Sequence, residues 1–166
     1  MRKNQQAGVA LMEVLVALLL LALGVLGFVA LQYRAVEASS EGEYRVQAIN
    51  LARDVAEKIR TNPTEIATYQ AEIQGQAITG GTNCYNTFCS QNEKAVFDAR
   101  QMNAAAQRVG MTMNMDTCPG VSNRRRCVVV AWGDTPAVNS ADDPNDCTND
   151  QGVYNATSTC VIMEAY

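Results

Sequence analysis

The composition of this 166-residue chain excludes several classes of function before any motif is considered. It carries 13 Lys and Arg residues against 17 Asp and Glu residues, and the net charge of −4 gives no broad electrostatic attraction to nucleic acid. It contains no histidine, which excludes Ser-His-Asp and Cys-His catalysis and every metal site with a His ligand. Because the sequence also lacks a P-loop and a nucleophile-elbow motif, we do not expect an enzyme.

An apolar run with a single ionisable residue dominates the amino-terminal part of the chain. From Val9 to Leu31 every residue other than Glu13 is apolar or Gly, and as a helix this run is about 34 Å long, enough to cross a bilayer core. Arg2 and Lys3 precede it, so the positive-inside rule predicts a cytoplasmic amino end and an exported body. A simple uncleaved signal anchor is one interpretation. However, a carboxylate in a membrane helix normally has a partner or a function, and no Lys or Arg lies within the run.

The residues around Glu13 carry a more specific signal. The basic leader ends at Gly8, an apolar residue follows, and Glu13 is the fifth residue after Gly8. This order resembles the class III signal of type IV pilins. The resemblance extends to the PilV family of minor type IV pilins, also called type IV pilus modification proteins, through residues 12–17, 23–27, 30–32 and 50–63. It is clear over residues 8 to 63 and looser over residues 127 to 134.

The resemblance implies a mechanism of processing and assembly. A prepilin peptidase would remove the leader, residues 1–8, by cutting after Gly8, and would methylate the new amino terminus at Val9, where most pilins have Phe or Met. The amino group of Val9 and the carboxylate of Glu13 would then each meet the opposite group on a neighbouring subunit in an apolar environment. Such a pair would set the register of an incoming subunit, because a buried charge without its partner is strongly unfavourable.

The resemblance also implies a location, partners and a role. The expected location is the inner membrane with a periplasmic head before assembly, and the extracellular pilus afterwards. The expected partners are other minor pilins and the major pilin, and the expected role is to prime or support pilus assembly as a filament subunit near the tip, in the service of twitching motility. Two alternatives stay open. One is a pseudopilin of a type II secretion system, and the other is a tip adhesin or DNA-uptake receptor with a ligand site in loops 80–89 or 119–126.

The apolar periodicity and the resemblance together predict a pilin-like α+β fold, in which a long amino-terminal helix packs on a small antiparallel sheet with disulfide-closed loops. The helix has a transmembrane and polymerisation half, 9–32, and an amphipathic half, 33–63, that ends at Asn62-Pro63 because a residue before Pro avoids the helical region. The periplasmic head, 64–166, begins with a loop-rich connection as far as residue 91. Its predicted elements are a helix over 92–109 and strands over 111–115, 127–132 and 159–166.

The six cysteines all follow residue 83 and are expected to form disulfide bonds in an oxidising periplasm. Six cysteines allow 15 pairings, among which the sequence does not choose. We predict nearest-neighbour pairing. Zinc is the competing interpretation, but no C-x-x-C pair is present, so no metal or cofactor is expected. The predicted pairs are Cys84 with Cys89, Cys118 with Cys127, and Cys147 with Cys160.

Two charged stretches in the head invite a functional interpretation. The first is a basic cluster in a predicted hairpin loop, for which a solvated turn is favoured because no aromatic residues are interleaved with it. Nucleic acid is therefore not expected as a partner. If a nucleic acid did bind to this chain, the basic cluster would be its contact surface. The second is an acidic stretch whose spacing does not follow an EF-hand, so an exposed or disordered loop is expected. The residues are Arg124, Arg125 and Arg126 in the basic cluster, and Asp134, Asp142, Asp143, Asp146 and Asp150 in the acidic stretch.

Overall fold

The computed structural model describes residues 4–139, 143–149 and 151–165. In chain order its helices are α1 (Asn4–Thr61), α2 (Ile66–Gln74) and α3 (Gln91–Arg108), with a 3-10 turn at Pro63–Glu65 after α1. Its strands are β1 (Met111–Thr117), β2 (Arg126–Trp132) and β3 (Cys160–Glu164). The chain comprises two compact units, Met1–Glu43 and Tyr44–Tyr166.

The described part of the first unit is helical throughout and belongs to α1. The large apolar side chains from Val9 to Leu31 are all exposed. By length and composition, α1 from Val9 onward could cross a membrane. No residue in its most apolar stretch is buried by other parts of the described chain. An exposed apolar surface of this extent requires lipid or another molecule to cover it.

The carboxyl-terminal part of α1 supplies one wall of the core of the second unit. Ala48, Ala52, Val55, Ala56 and Ile59 recur at helical spacing and are buried. They belong to one apolar cluster with side chains from α2, α3 and the sheet. The small alanine side chains on this face let neighbouring elements approach the helix closely, whereas the apolar residues of the first unit find no such cover.

The sheet is an antiparallel meander in the order β1-β2-β3. Its register places Val130 of β2 between Met113 of β1 and Val161 of β3. All residues of β2 from Cys127 to Trp132 are buried, because the central strand is covered on both faces. The predicted α+β class, with a long amino-terminal helix packed on a small antiparallel sheet, is confirmed.

The two faces of β2 belong to different apolar clusters. Val128 and Val130 lie in the main cluster with the helices, whereas Val129 and Ala131 lie in a second cluster with Cys147 and neighbouring side chains. The segment between β2 and β3 therefore covers the second face of the sheet. The sequence pattern of this segment predicts no such packing role.

One predicted element is wrong and the others are confirmed with small shifts. The connection before residue 91 was expected to be loop-rich throughout, but it contains α2, which buries Tyr69 and Ile73. The predicted helix over 92–109 corresponds to α3, and the predicted strands correspond to β1, β2 and β3 with ends shifted by one or two residues. The predicted end of the first helix before Pro63 is also observed.

Candidate assembly segment and disulfide-closed head

The candidate assembly segment lies near the start of α1. Val9 and Glu13 are four positions apart on this helix, so both side chains lie on the same face about one turn apart. Glu13 is exposed among exposed apolar neighbours, which include Met12 and Val14. Among the residues that the structure describes, none forms a hydrogen bond or an ion pair with Glu13. Its carboxylate is therefore accessible to a positively charged group on another molecule.

The predicted processing position is also part of this segment. The backbone of Gly8 and Val9 is helical, as is the rest of α1 from Asn4. Arg2 and Lys3, which supply the leader's charge, lie outside the described residues. Cleavage after Gly8 and methylation of Val9 stay predictions.

A buried carboxylate joins the three helices of the second unit. Asp98 of α3 lies 3.2 Å from the Nζ of Lys58 in α1, and the Lys94 ammonium pairs with the same oxygen. The hydroxyl of Tyr69 in α2 donates to the other oxygen at 3.2 Å. Burial raises the pKa of Tyr69, and the negative charge of Asp98 adds to this effect. These contacts give the buried charge its partners and fix the packing of the helices.

This cluster was not predicted from the sequence, although one signal for it is present there. Asp98 lies between Ala95 and Ala99 on the face of α3 that periodicity assigns to the core. A charged residue on an apolar face predicts a buried pair or a site. Lys94 lies one turn earlier on α3, but the partners Lys58 and Tyr69 could not be named, because they come from helices far apart in the sequence.

A second ion pair anchors the connection between α2 and α3. The guanidinium of Arg100 forms a fork with the Glu72 carboxylate, with Nε at 2.7 Å and a terminal nitrogen at 3.2 Å, and it also donates to the carbonyl of Thr79. The hydrogen bond with Glu72 raises the pKa of Arg100. The amide of Asn103 donates to the carbonyls of Glu72 and Ala77 at 2.9 and 3.0 Å. The start of this connection is therefore held against α3.

The six cysteines form the three predicted nearest-neighbour pairs, with Cα atoms 5.6, 4.9 and 5.8 Å apart in chain order: Cys84–Cys89, Cys118–Cys127 and Cys147–Cys160. The second pair closes the β1–β2 hairpin beside a backbone hydrogen bond from Cys118 to Arg125. The third ties the segment over the second face of the sheet to β3, and both of its cysteines are buried. The three disulfides close the loops of the head, and their role is structural.

The basic cluster is divided between a turn and a strand. Arg124 has a positive φ of 55°, which is typical of a turn, whereas Arg126 is the first residue of β2. The guanidinium of Arg125 lies 2.8 Å from the Glu164 carboxylate, and that of Arg126 lies 4.0 Å from Asp116. Two of the three positive charges therefore have acidic neighbours, which weakens the field that a nucleic acid would meet.

The acidic stretch is only partly the exposed loop that the sequence predicts. Asp134 and Asp143 are exposed, but Asp146 is buried beside Cys147, and the expectation of an exposed loop is wrong there. Asp142 and Asp150 lie outside the described residues. Within the ranges that the structure describes, no three acidic or cysteine side chains converge closely enough to hold a metal ion.

The comparison with protein families agrees with this geometry. The family model of type IV pilin Tt1218 matches residues 30–100, which run from the middle of α1 through α2 and the Cys84–Cys89 loop into α3. Neither a curated protein nor a solved structure matches the chain. The matched range is less than half of the chain and excludes the sheet. Together with the fold, the match supports the role of a type IV pilin subunit, with an apolar helix compatible with membrane anchoring followed by pilus assembly.

Proposed function

We propose that this chain is a minor type IV pilin of the PilV kind, which primes or supports assembly of the pilus as a subunit near its tip. The observation that carries the proposal is the stretch of α1 from Val9 to Leu31, whose large apolar side chains are all exposed and which contains Glu13 as its one acidic residue. The similarity to type IV pilin Tt1218 supports the same function through the part of the chain that follows this surface.

The chemistry of Glu13 explains how such a subunit would be added in register. Cleavage after Gly8 would create an amino group at Val9, one helical turn from Glu13. Within a bundle of apolar helices, each of these charges would be strongly destabilised without an opposite partner. An incoming subunit would therefore be stable only in the register that pairs its charges with those of its neighbours.

The location and partners follow from this mechanism. Before assembly, α1 would anchor the chain in the inner membrane with the head in the periplasm, where its three disulfides are stable. The prepilin peptidase would act on the cytoplasmic side, and the other minor pilins and the major pilin would be the neighbours in the filament. The fine assignment to the PilV kind rests on the sequence resemblance over residues 8 to 63.

A pseudopilin of a type II secretion system is the second candidate, because the same leader and helix would serve it. Deletion of the gene and complementation with the wild-type chain separate the two. A minor pilin predicts a loss of surface pili and of twitching with normal protein secretion. A secretion defect with a normal number of pili would contradict the proposal and favour the pseudopilin.

A further inference from the structure

The sheet of the head has an edge at β1. Within the described residues β1 has a strand neighbour on one side only, because the strand order is β1-β2-β3. The register, together with the hydrogen bond from the N–H of Cys118 to the carbonyl of Arg125, shows that the even-numbered residues of β1 bond to β2. The backbone groups of the odd-numbered residues from 111 to 117 therefore face away from β2. Unpaired groups on such an edge are a template for pairing with a strand of another molecule.

Two glutamine side chains pair with the carbonyl groups of this edge. The side-chain amide of Gln74, the last residue of α2, donates to the carbonyl of Met115 at 2.9 Å. The amide of Gln76 donates to the carbonyl of Met113. These two carbonyls are the acceptors that an added strand would need, so the glutamines take the place of a strand there.

Two N–H groups of the same edge are paired by side chains of β1 itself. The side-chain oxygen of Asn114 accepts from the N–H of Met115 at 2.8 Å, and that of Asp116 accepts from the N–H of Thr117 at 2.7 Å. Four outward-facing backbone groups of β1 therefore have partners within the head.

The backbone at Gln76 indicates that its side chain has a specific role. Gln76 has a φ of 52°, in the left-handed region that favours glycine, whereas Gly75 before it has a φ of −70°. The glycine thus does not occupy the position where its conformational freedom is needed. The strained position holds a residue whose amide reaches β1, and a backbone outlier of this kind supports a hypothesis of function.

The space beside β1 would accept another chain. A groove of about 350 Å³ is lined by Gln74 and Gln76, by residues 112–114 of β1, and by Ala137 and Val138. These lining residues are all uncharged, so an added strand would meet no ionic barrier. The hydrogen bonds of the two glutamines, rather than a lack of room or a charge, are what an added strand would have to displace.

We propose that Gln74 and Gln76 close the β1 edge to strand addition, and that without them the heads of two copies of this chain pair through β1. The opposite edge is also protected, because the hydroxyl of Tyr154 accepts from the N–H of Ile162 and the charged Glu164 lies on the same strand. Heads that are crowded side by side meet at a high local concentration, where an open edge would join them. The two glutamines act on the head alone, so their role does not depend on whether the chain enters pili.

Self-association of the full chain in detergent, measured by sedimentation equilibrium, tests the closure. The double variant Gln74→Ala, Gln76→Gly removes both amides, and glycine suits the backbone at position 76. Gln70→Ala, on the same helix, is the matched control. We expect the dissociation constant for self-association to fall by about tenfold or more in the double variant and to stay at the wild-type value in the control. A wild-type value in the folded double variant would overturn the inference.

A third substitution shows whether the new contact lies at β1. Thr112 is exposed on this strand, and a lysine on an edge opposes strand pairing. Adding Thr112→Lys to the double variant should restore the wild-type dissociation constant. Hydrogen exchange of the Met113 amide in the double variant should slow as the protein concentration rises. Association that persists after Thr112→Lys, or that leaves this exchange unchanged, would come from another surface or from unfolding and would overturn the inference.

The single variant Gln76→Gly decides the question if the double variant does not fold. It keeps Gln74 and relieves the backbone at position 76, so its unfolding temperature should stay close to that of the wild type. Its dissociation constant for self-association should fall by about threefold or more. A folded Gln76→Gly chain with wild-type self-association would then overturn the inference.

Discussion

The Nζ atom of Lys58 lies 3.2 Å from the Oδ1 atom of Asp98, and this ion pair joins the carboxyl-terminal part of α1 to α3 within the second unit. The Asp98 side chain is only 5% exposed, whereas that of Lys58 is 30% exposed. The carboxylate therefore depends on its partners more than the lysine does, because a lysine near the surface can recover water as a hydrogen-bonding partner.

Replacement of Asp98 by Ala should lower the free energy of unfolding of the head by about 2 to 3 kcal/mol. It removes the acceptor for the Tyr69 hydroxyl as well as the charge that pairs with Lys58. Urea unfolding of the full chain in detergent, followed by the fluorescence of Trp132, measures the change. Lys58→Met is the comparison variant and should be milder, since Lys94 and Tyr69 still reach Asp98. Equal effects of the two variants would contradict this account.

The Cys147–Cys160 disulfide should contribute more to stability than the Cys84–Cys89 disulfide. Its cysteines are separated by 13 positions rather than 5, so in the chain-entropy model its loss costs about 3 kcal/mol against about 2 kcal/mol. Its two cysteines also lie in the apolar cluster under the second face of the sheet. Thermal unfolding of the two double Cys→Ala variants in the full chain compares them. A larger loss for the Cys84 and Cys89 variant would show that this ranking is wrong.

The stability of the capping box at the start of α3 should depend on pH. The pKa of Glu93 is lowered from its ordinary value of 4.5, mainly because the backbone N–H of Ser90 donates to its carboxylate and further because the hydroxyls of Thr82 and Ser90 do so. A carboxylate with a lowered pKa in the folded state stabilises the fold fully above the unfolded pKa and loses this effect as the pH falls through the folded pKa.

The Glu93→Gln variant tests this dependence. Its unfolding temperature should lie below that of the wild type at pH 7. The gap should be smaller at pH 3, which lies below the ordinary pKa of 4.5, because the unfolded chain binds a proton there and the stabilisation that the lowered pKa provides decreases. Glu57→Gln is a matched control, because Glu57 makes an exposed pair with Arg60 and its loss should change little. A gap of the same size at both pH values would contradict the role assigned to Glu93.

The Glu13→Ala variant should be processed normally but should be recovered in filaments at a much lower level. The apolar helix is kept, whereas the charge proposed to pair with the amino group of a neighbour is lost. Immunoblots of membranes and sheared filaments measure both steps. Glu37→Ala is the matched control, because Glu37 lies on the same helix in an exposed pair with Arg34. Normal recovery of the Glu13→Ala variant would contradict the register mechanism.

The Gly8→Ala variant should accumulate as the unprocessed precursor. The resemblance to type IV pilins implies that the prepilin peptidase cuts after this glycine, and an added methyl group there would slow the cut. A shift in mass of the membrane-bound chain, compared between wild type and variant, checks this. A product of mature size from Gly8→Ala, at the wild-type rate, would place the cut elsewhere.

Local patterns predicted most of the secondary structure. The apolar run, the break at Pro63 and the alternation of Met111, Met113 and Met115 are each contained in a short stretch of sequence. α2 was missed even though Ile66, Tyr69 and Ile73 follow a helical spacing. The reason is that a nine-residue helix is short, and the turn residues on both sides of it dominate the composition.

Long-range contacts could not be predicted from the sequence. The partner of Arg125 is Glu164, 39 positions away, and only the β2–β3 register brings them together. The buried position of Asp146 likewise depends on how the segment after β2 folds over the sheet. The disulfide pairs were predicted because near neighbours are the simplest connection, although the sequence by itself allows 15 pairings.

Mass spectrometry of sheared, purified filaments tests the central claim most directly. The account predicts a peptide that begins at Val9, carries a methyl group on its amino terminus, and is present in the filament fraction. Recovery of the Val9 peptide from the membrane fraction alone would show a processed chain that does not enter pili, and would contradict the proposed role as a filament subunit.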